Sequence, residues 1–379
     1  DAYLVSWCMK LLNGRNAPPK VWFLDGFAGA GEDLKGNPGS PRIACQAAIR
    51  IRAKPGEPPR ELGVFCIEKE REYFERLAPM IDGFRERAGV DATARHGEFT
   101  EHCDEALRTI AGNPVLAFLD PFGIKGLSAE LYRPLLRVRR SEIFMLVADA
   151  GTARLSGVLN ADDRKFDAVT RRIESAPSLF EEFDREDIAA NEQARARRAE
   201  ALQRTREGIL RTLTEALGAA EAAELATLPM EEMSTRYVHL LEARLREAGA
   251  THIVAFPVRD TEGVAKHLLL HACASEHGAL AMKESIQSAL NNADLDARMR
   301  NRLREDLTIA IAPLVDACAR EFAGQTMLLN KDEPGSLQWY LLANTRYFGF
   351  QKSELVTELK RRGFFTARPR ETVTFPPLG

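Results

Sequence analysis

Short apolar runs alternate with amphipathic segments over the first 150 residues of the chain. The apolar runs predict strands at 21–25, 62–68, 91–97, 114–120 and 141–149. The segments between them have helical spacing, and the helix over 40–53 is predicted to begin with Ser40 as its cap and Pro41 in its first turn. Strands that alternate with helices predict a parallel sheet with helices on both faces.

Over the rest of the chain the pattern of apolar and polar residues changes twice. Residues 151–232 are rich in Ala, Arg, Glu and Leu with helical spacing, which predicts a helical insertion. A pattern typical of strands returns over 233–295, where two further apolar runs predict a hairpin that closes the sheet. Residues 296–379 contain a helix, a turn, a second helix and a β-ribbon, the order of a winged-helix-like domain. We therefore expect an α/β Rossmann-type domain made of 1–150 and 233–295.

A glycine-rich loop follows the first predicted strand in VWFLDGFAGAGED, residues 21–33. A phosphate-binding P-loop is excluded because Glu32 and Asp33 stand where Lys and Ser or Thr would be. The G-x-x-G-x-G spacing and the eight residues before the next helix also depart from the dinucleotide fingerprint. A carboxylate at the strand end suits a ligand that carries an ammonium and a sulfonium, such as S-adenosylmethionine (SAM). The residues expected to hold its aminoacyl half are Asp25, Gly26, Phe27, Ala28, Gly29 and Gly31.

Two further strand ends offer groups for the nucleoside half of the same ligand. Glu68 ends the second strand, where its carboxylate can accept both ribose hydroxyls; the alternative is a surface ion pair with Lys69 or Arg71. Gly97 and Glu98 follow the third strand, where a backbone amide or a side chain can meet the adenine. Because ligands of parallel sheets bind beyond the carboxyl ends of the strands, we expect one shared site.

The fourth strand ends in FLDPFG, residues 118–123, which we interpret as the acceptor and catalytic site. Asp120 and the carbonyl of Pro121 can accept hydrogen bonds from an amine, and Phe122, followed by Gly123, offers a flat face for a stacked base. This arrangement would align an exocyclic amino nitrogen with the methyl sulfonium, so catalysis would be mostly positioning. The alternative is a plain turn after a strand.

The net charge of −3 means that any surface for nucleic acid must be local. The second helix of the winged-helix-like region carries four basic candidates for contacts with phosphates: Lys352, Lys360, Arg361 and Arg362. The alternative is that this module contacts protein.

The cysteines and the hydropathy pattern limit the classes to which the protein can belong. None of the six cysteines forms a C-x-x-C pair, so neither a zinc site nor a disulfide framework is expected, and a reducing cytoplasm fits best. No apolar stretch approaches the roughly 20 residues that span a bilayer, so no membrane partner is expected.

These motifs resemble those of the Rossmann-type SAM-dependent methyltransferases. FAGAG is similar to their first motif, Glu68 to the acid that ends their second strand, and DPFG to the fourth motif of amino-methyltransferases. Over roughly residues 15–290 the chain resembles the bacterial three-Cys-motif partner (TcmP) family, in the stretches FLDGFAGAGED…PGSPRIA, CIEKE, HGEF, FLDPFGIKGL and HIVAFPVRD…AKHLLLHACAS…ALAMKESI. The resemblance implies a methyltransferase-like fold and a phage-type partner with three clustered cysteines, encoded nearby. The long gap between the glycine loop and Ser40 departs from ordinary methyltransferases.

The sequence therefore predicts a SAM-dependent methyltransferase that acts on an amino nitrogen of a nucleic-acid base, in DNA or RNA. One alternative is a catalytically idle adaptor that binds a partner protein or DNA. Another is a nuclease in which Asp25, Glu68 and Asp120 hold Mg²⁺. No resident metal is expected in the main hypothesis.

Overall fold

Seven strands form one mixed sheet at the centre of the protein. The computed structural model describes residues 2–13, 16–33, 36–53, 60–120, 129–148, 192–259, 265–291, 297–367 and 370–377. The strands of the sheet are β1 (Val21–Asp25), β2 (Leu62–Glu68), β3 (Ala92–His96), β4 (Val115–Leu119), β5 (Glu142–Ala148), β6 (His252–Arg259) and β7 (Ala265–Cys273). Each of the first five lies within one residue of its predicted bounds, and β6 and β7 form the predicted hairpin.

The order of the strands across the sheet is β3-β2-β1-β4-β5-β7-β6. Strands β1 to β5 are parallel, and β7 runs antiparallel to both β5 and β6. This is the strand order of the methyltransferase type, so the predicted α/β fold is confirmed. The strands β1 and β2 are buried along their whole length, which explains why their sequences are continuous apolar runs.

Helices cover both faces of this sheet, and further helices form the C-terminal region. In chain order they are α1 (Ala2–Leu12), α2 (Ser40–Ile51), α3 (Arg71–Ala88), α4 (Phe99–Ile110), α5 (Ala129–Arg137), α6 (Glu192–Leu217), α7 (Ala219–Thr227), α8 (Met230–Glu247), α9 (Glu276–Leu290), α10 (Ala297–Leu307), α11 (Ile311–Glu321), α12 (Leu337–Asn344) and α13 (Lys352–Arg361). Helices α4 to α8 share a core with Trp22 and Phe65, whereas α1, α2, α3 and α9 share a core with Phe23 and Cys66. Among the described helices, none is long and apolar enough to cross a membrane.

The helical insertion contributes to the core of the sheet domain. Its described part, α6 and α7, buries Ile209, Leu213, Ala222 and Leu225 in the same cluster as the β4 and β5 side chains. The predicted segment 151–191 lies outside the described residues. The insertion is therefore a layer over one face of the sheet.

The C-terminal region has a core of its own. It contains Val315, Trp339, Tyr347 and Leu359, together with Leu280 from α9. The predicted helix, turn, helix and ribbon are present as α12, α13, β9 (Phe365–Thr366) and β10 (Thr372–Thr374), and β8 (Thr326–Leu328) completes a sheet of order β8-β10-β9. The assignment of this unit to the winged-helix class stays a prediction.

Replacing Gly63 by alanine is expected to destabilise the sheet domain by about 1–3 kcal/mol, because the new methyl group overpacks a filled core. Gly63 lies opposite Trp22 in the β1–β2 register, and a Cβ atom there would come within 2.5 Å of the indole ring. Trp22 is itself buried. Chemical denaturation measures the effect. Gly83→Ala on α3 is the matched control: its Cβ meets nothing within 4 Å, so it should raise stability by about 1 kcal/mol, and equal effects at the two sites would contradict the packing argument.

Candidate functional site at the carboxyl edge of the sheet

Strand register brings three acidic residues to one face of the sheet. Asp25 of β1 pairs with Cys66 of β2 on one side and with Phe118 of β4 on the other. Glu68 and Asp120 each lie two residues beyond these partners, and side chains two residues apart in a strand point to the same face. The three carboxyl groups therefore meet on one face, at the carboxyl ends of β1, β2 and β4, as the sequence predicted.

Asp25 is fully buried, and burial raises its pKa to about 7. Hydrogen bonds from the side chain of Ser40 and the backbone of Phe27 oppose this shift, whereas the neighbouring Asp120 and Glu68 add to it. Its Oδ2 atom has no hydrogen-bond partner among the described residues. A buried carboxyl oxygen without a donor is costly, so this position suits a bound cation or donor group.

Burial also raises the pKa values of Glu68 and Asp120. Backbone hydrogen bonds from Glu70 and Gly29 oppose the rise in the pKa of Glu68. The charge of His267 opposes the rise in the pKa of Asp120. Perturbed pKa values that cluster at one edge of a sheet are typical of functional sites.

The glycine loop is held to the ends of the neighbouring strands by its own backbone. The Gly26 amide donates to the carbonyl of Phe118 (3.0 Å), and the Ala28 amide donates to the carbonyl of Ile67 (3.0 Å). The Phe27 amide turns back to Asp25 Oδ1 at 3.3 Å. These bonds continue the parallel ladder past the end of β1 and aim the loop across the site.

Two glycines in the loop have left-handed backbone conformations. Gly29 has φ +60° and Gly31 has φ +80°, which other residues adopt only with strain. At Gly31 a Cβ atom would also lie 2.4 Å from the methyl group of Met80. The backbone conformation therefore favours glycine at both positions, whereas the flexible Met80 side chain could move away from a Cβ at Gly31.

The long gap before α2 folds back on the glycine loop. Glu32 and Pro38 form an isolated antiparallel bridge, and the Gly39 amide donates to the carbonyl of Gly31 at 2.8 Å. This return places Ser40 beside Asp25. The cap predicted at Ser40 is wrong: Gly39, which has no side chain to bond the helix, occupies the N-cap position, and Ser40 is the first residue of α2.

Glu68 is buried and bonds to backbone amides. Its Oε2 accepts from the Gly29 amide (2.6 Å) and its Oε1 from the Glu70 amide (2.7 Å). The alternative of a surface ion pair is wrong for this residue, since Glu68 is buried while Lys69 pairs with Glu98 (3.1 Å) and Arg71 with Glu75 (2.9 Å). Each carboxylate oxygen can accept two hydrogen bonds, so both oxygens retain capacity for a hydroxyl.

Gly97 and Glu98 lie where β3 leads into α4. The Gly97 amide donates to the carbonyl of Glu68 at 3.0 Å, which ties this turn to the end of β2. Glu98 is the N-cap of α4 and forms a reciprocal capping box with Glu101. Its carboxylate is thus engaged with helix backbone and with Lys69, and the predicted contact with adenine stays a prediction.

Of the four catalytic candidates, Asp120 is described, whereas Pro121, Phe122 and Gly123 lie outside the described residues. Sequence reasoning did not place Ser40 or His267 in the site. No local signal marks His267, because it reaches this edge only through the antiparallel pairing of β7 with β5.

Two of the predicted nucleic-acid residues, Lys352 and Lys360, have neighbours within the C-terminal unit. Lys352 pairs with Glu371 at 3.0 Å, on the wall of an open polar groove of about 1160 Å³ between α9 and the C-terminal sheet. The Lys360 ammonium lies 5.3 Å from the ring centre of Phe365.

Arg361 and Arg362 pair with acids on their own surface. Arg361 contacts Glu358 at 2.7 Å, and Arg362 contacts both Glu358 (2.7 Å) and Asp316 of α11. The side chain of Arg362 is only 18% exposed, so it joins α13 to α11. Whether these four basic residues bind nucleic acid stays a prediction.

The three acids do not form a metal site of the kind a nuclease needs. Among the described residues, no group of three or more His, Cys, Asp or Glu side chains is arranged to hold a metal ion. Glu68 already accepts two backbone bonds, and Asp25 lies fully inside the protein. The arrangement suits an organic cation better than a hydrated Mg²⁺ ion.

Comparison with known proteins finds distant similarity of fold. No family model and no curated protein matches this sequence, so membership of the TcmP family stays a prediction. A candidate O-methyltransferase from Klebsiella pneumoniae is similar over 72% of this chain and 79% of its own, with 11% identity and a TM-score of 0.30. A geranyl diphosphate methyltransferase in complex with SAM is similar over 72% of this chain and 84% of its own, with 9% identity and a TM-score of 0.26. Cofactor-bound Rv0187 from MTB is similar over 73% of this chain and 91% of its own, with 12% identity and a TM-score of 0.26. At these identities the likeness concerns the fold alone.

Proposed function

We propose that this protein is a SAM-dependent methyltransferase that acts on an amino nitrogen of a nucleic-acid base. The observation that carries the proposal is the buried carboxyl group of Asp25, with one unpartnered oxygen, at the foot of a glycine loop and beside Glu68 and Asp120. Three acids gathered at the carboxyl edge of a methyltransferase-type sheet favour a cationic ligand over a phosphate-bearing one.

The residues present fit SAM. Asp25 would accept a hydrogen bond from the ammonium group, which gives its Oδ2 the donor that it lacks among the described residues. The glycine loop would pass close to the aminoacyl half, since Gly29 and Gly31 present no side chains there. Glu68 would accept the ribose hydroxyls while it retains its bonds to the Gly29 and Glu70 amides. When bound, SAM supplies an electrophilic methyl group.

Asp120 would orient the acceptor. It lies on the same face as Asp25, at the end of the next strand, and its carboxyl group can accept a hydrogen bond from an exocyclic amine. The resemblance of DPFG to the fourth motif of amino-methyltransferases supports a nitrogen as the methyl acceptor. The same resemblance supports two finer proposals: membership of the TcmP family, and a nearby-encoded partner with three clustered cysteines.

The C-terminal unit would deliver the nucleic acid. Its helix, turn, helix and ribbon match the order of a winged-helix module, and Lys352 and Lys360 lie on its second helix. We assign phosphate contacts to Lys360 first, because Lys352 pairs with Glu371. Arg361 and Arg362 are engaged with Glu358 and, for Arg362, also with Asp316.

Calorimetric titration with SAM tests the cofactor assignment through the proton that its binding releases. The buried Asp25 has a pKa of about 7 in the free protein, so at pH 6 it is mostly protonated. A cation beside it favours the carboxylate and lowers its pKa, so binding at pH 6 expels a proton. We expect the affinity for SAM to rise about fivefold from pH 6 to pH 7 and to level off above pH 8. The measured heat should differ between phosphate and imidazole buffers by the heat of that proton.

Asp25→Asn is the matched control, because it keeps the shape of a neutral Asp25 and cannot ionise. It should bind SAM more weakly, with an affinity that does not change between pH 6 and pH 7 and with no buffer-dependent heat. If wild-type protein binds no SAM at any pH, the proposed function is wrong. In that case, binding of DNA or a partner protein through the C-terminal unit would favour the adaptor alternative.

A further inference from the structure

A histidine of the antiparallel strand lies at the same edge as the acidic cluster. His267 of β7 pairs with Ala148, the last residue of β5, so it stands at the carboxyl end of the parallel strands. On its other side it pairs with Val258 of β6. Neither neighbour carries a charge. The antiparallel return of β7 thus brings a side chain from late in the sequence to the edge formed by β1, β2 and β4.

His267 points to the same face of the sheet as Asp120. Leu269 and Cys273, two and six residues further along β7, pack in the core that contains Phe23 and Phe118. Since alternate residues of a strand share a face, His267 lies on the face of Phe118 and therefore of Asp120, two residues beyond it. When protonated, His267 opposes the rise that burial causes in the pKa of the Asp120 carboxyl group.

The imidazole of His267 has capacity that the described structure does not use. Its Nδ1 atom is buried and has no hydrogen-bond partner among the described residues. The Nδ1 atom of His271, four residues along the same strand, is likewise unpartnered, but its Nε2 bonds to Glu142 at 2.7 Å in a buried network with Tyr3, at the opposite edge of the sheet. His267 is thus the β7 histidine placed to serve the site.

We propose that His267 is a positioning residue that acts through Asp120 and receives the proton released by methyl transfer. This inference rests on the proposed function. The amino nitrogen forms a bond to the methyl carbon, the bond from that carbon to sulfur breaks, and sulfur retains the electron pair. The nitrogen then carries one proton too many, which passes to the Asp120 carboxylate and from there to the imidazole of His267. Asp25 and Glu68, the other acids that face Asp120, are occupied by the cofactor in this scheme.

His267→Gln tests this role with a readout that does not depend on turnover. We expect the pKa of Asp120 to rise, because the variant removes the positive charge that opposes its shift. ¹³C NMR of aspartate-labelled protein follows the titration, and Asp120→Asn identifies the signal. His96→Gln is the matched control, because His96 ends β3 at the same edge but its ring contacts Phe74. An Asp120 titration that is unchanged in His267→Gln and matches that of His96→Gln would overturn the proposal.

Turnover gives the second readout. The affinity of His267→Gln for SAM should stay within a few-fold of the wild-type value, while the rate of methyl transfer falls about 10²-fold. The pH at which this rate declines on the acid side should also shift. Normal transfer with an unchanged pH profile would also overturn the proposal. The two failures are distinguishable: absence of SAM binding removes the proposed function, whereas the NMR titration still reports whether His267 and Asp120 form a pair.

Discussion

Asp120→Ala is expected to abolish methyl transfer, by at least about 10³-fold, while the affinity for SAM changes by no more than a few-fold. Asp120 ends β4 on the face that holds Asp25, and its side chain is the described group placed to accept a hydrogen bond from an acceptor amine. Alanine removes both the group that aligns the amine and the first acceptor of the released proton. Cofactor binding should survive, because the contacts assigned to SAM come from β1, β2 and the glycine loop.

The measurement is transfer of tritium from methyl-labelled SAM to heat-denatured genomic DNA and to total transfer RNA, with calorimetry for the cofactor. The two acceptors separate a DNA enzyme from an RNA enzyme. Asp104→Ala, an exposed acid on α4, controls for the loss of one surface charge and should behave as wild type. If Asp120→Ala still transfers methyl groups at the wild-type rate, Asp120 has no part in the chemistry.

The sheet was predictable because its central strands are buried on both sides. A strand such as β2 has no exposed face, so its sequence is an apolar run up to its last residue, Glu68. The carboxylates that end β1, β2 and β4 were predictable for the same reason, since each interrupts such a run at its carboxyl end. Their shared face follows from register, which the strand order then fixed.

Features that depend on tertiary contacts were not predictable from local pattern. Ser40 matches the usual cap of a helix. The bond from the Gly39 amide to the Gly31 carbonyl instead places Ser40 beside Asp25. The basic residues of α13 suggest a phosphate-binding surface. However, Arg362 pairs with Glu358, one turn earlier, and with Asp316 of α11. His267 joins the site only because β7 runs antiparallel to β5.

Glu68→Ala is expected to weaken SAM binding about 100-fold and to lower the free energy of unfolding by about 2 kcal/mol. The carboxyl group is 4% exposed and accepts hydrogen bonds from the Gly29 and Glu70 amides. Alanine leaves both amides without their acceptor and frees the tip of the glycine loop. It also removes the group assigned to the ribose hydroxyls. Calorimetry measures the first effect, and chemical denaturation measures the second.

Two variants distinguish the role of Glu68 in supporting the glycine loop from its role in binding the ribose. Glu70→Ala removes a neighbouring exposed side chain but keeps both backbone bonds of Glu68, so it should match wild type in affinity and stability. Glu68→Gln keeps the shape, but its amide group would face one of the two backbone N–H donors, so stability should fall less than in Glu68→Ala while affinity falls nearly as far. If Glu68→Ala lost stability but bound SAM like wild type, Glu68 would be a support for the loop, and the ribose would have to bind elsewhere.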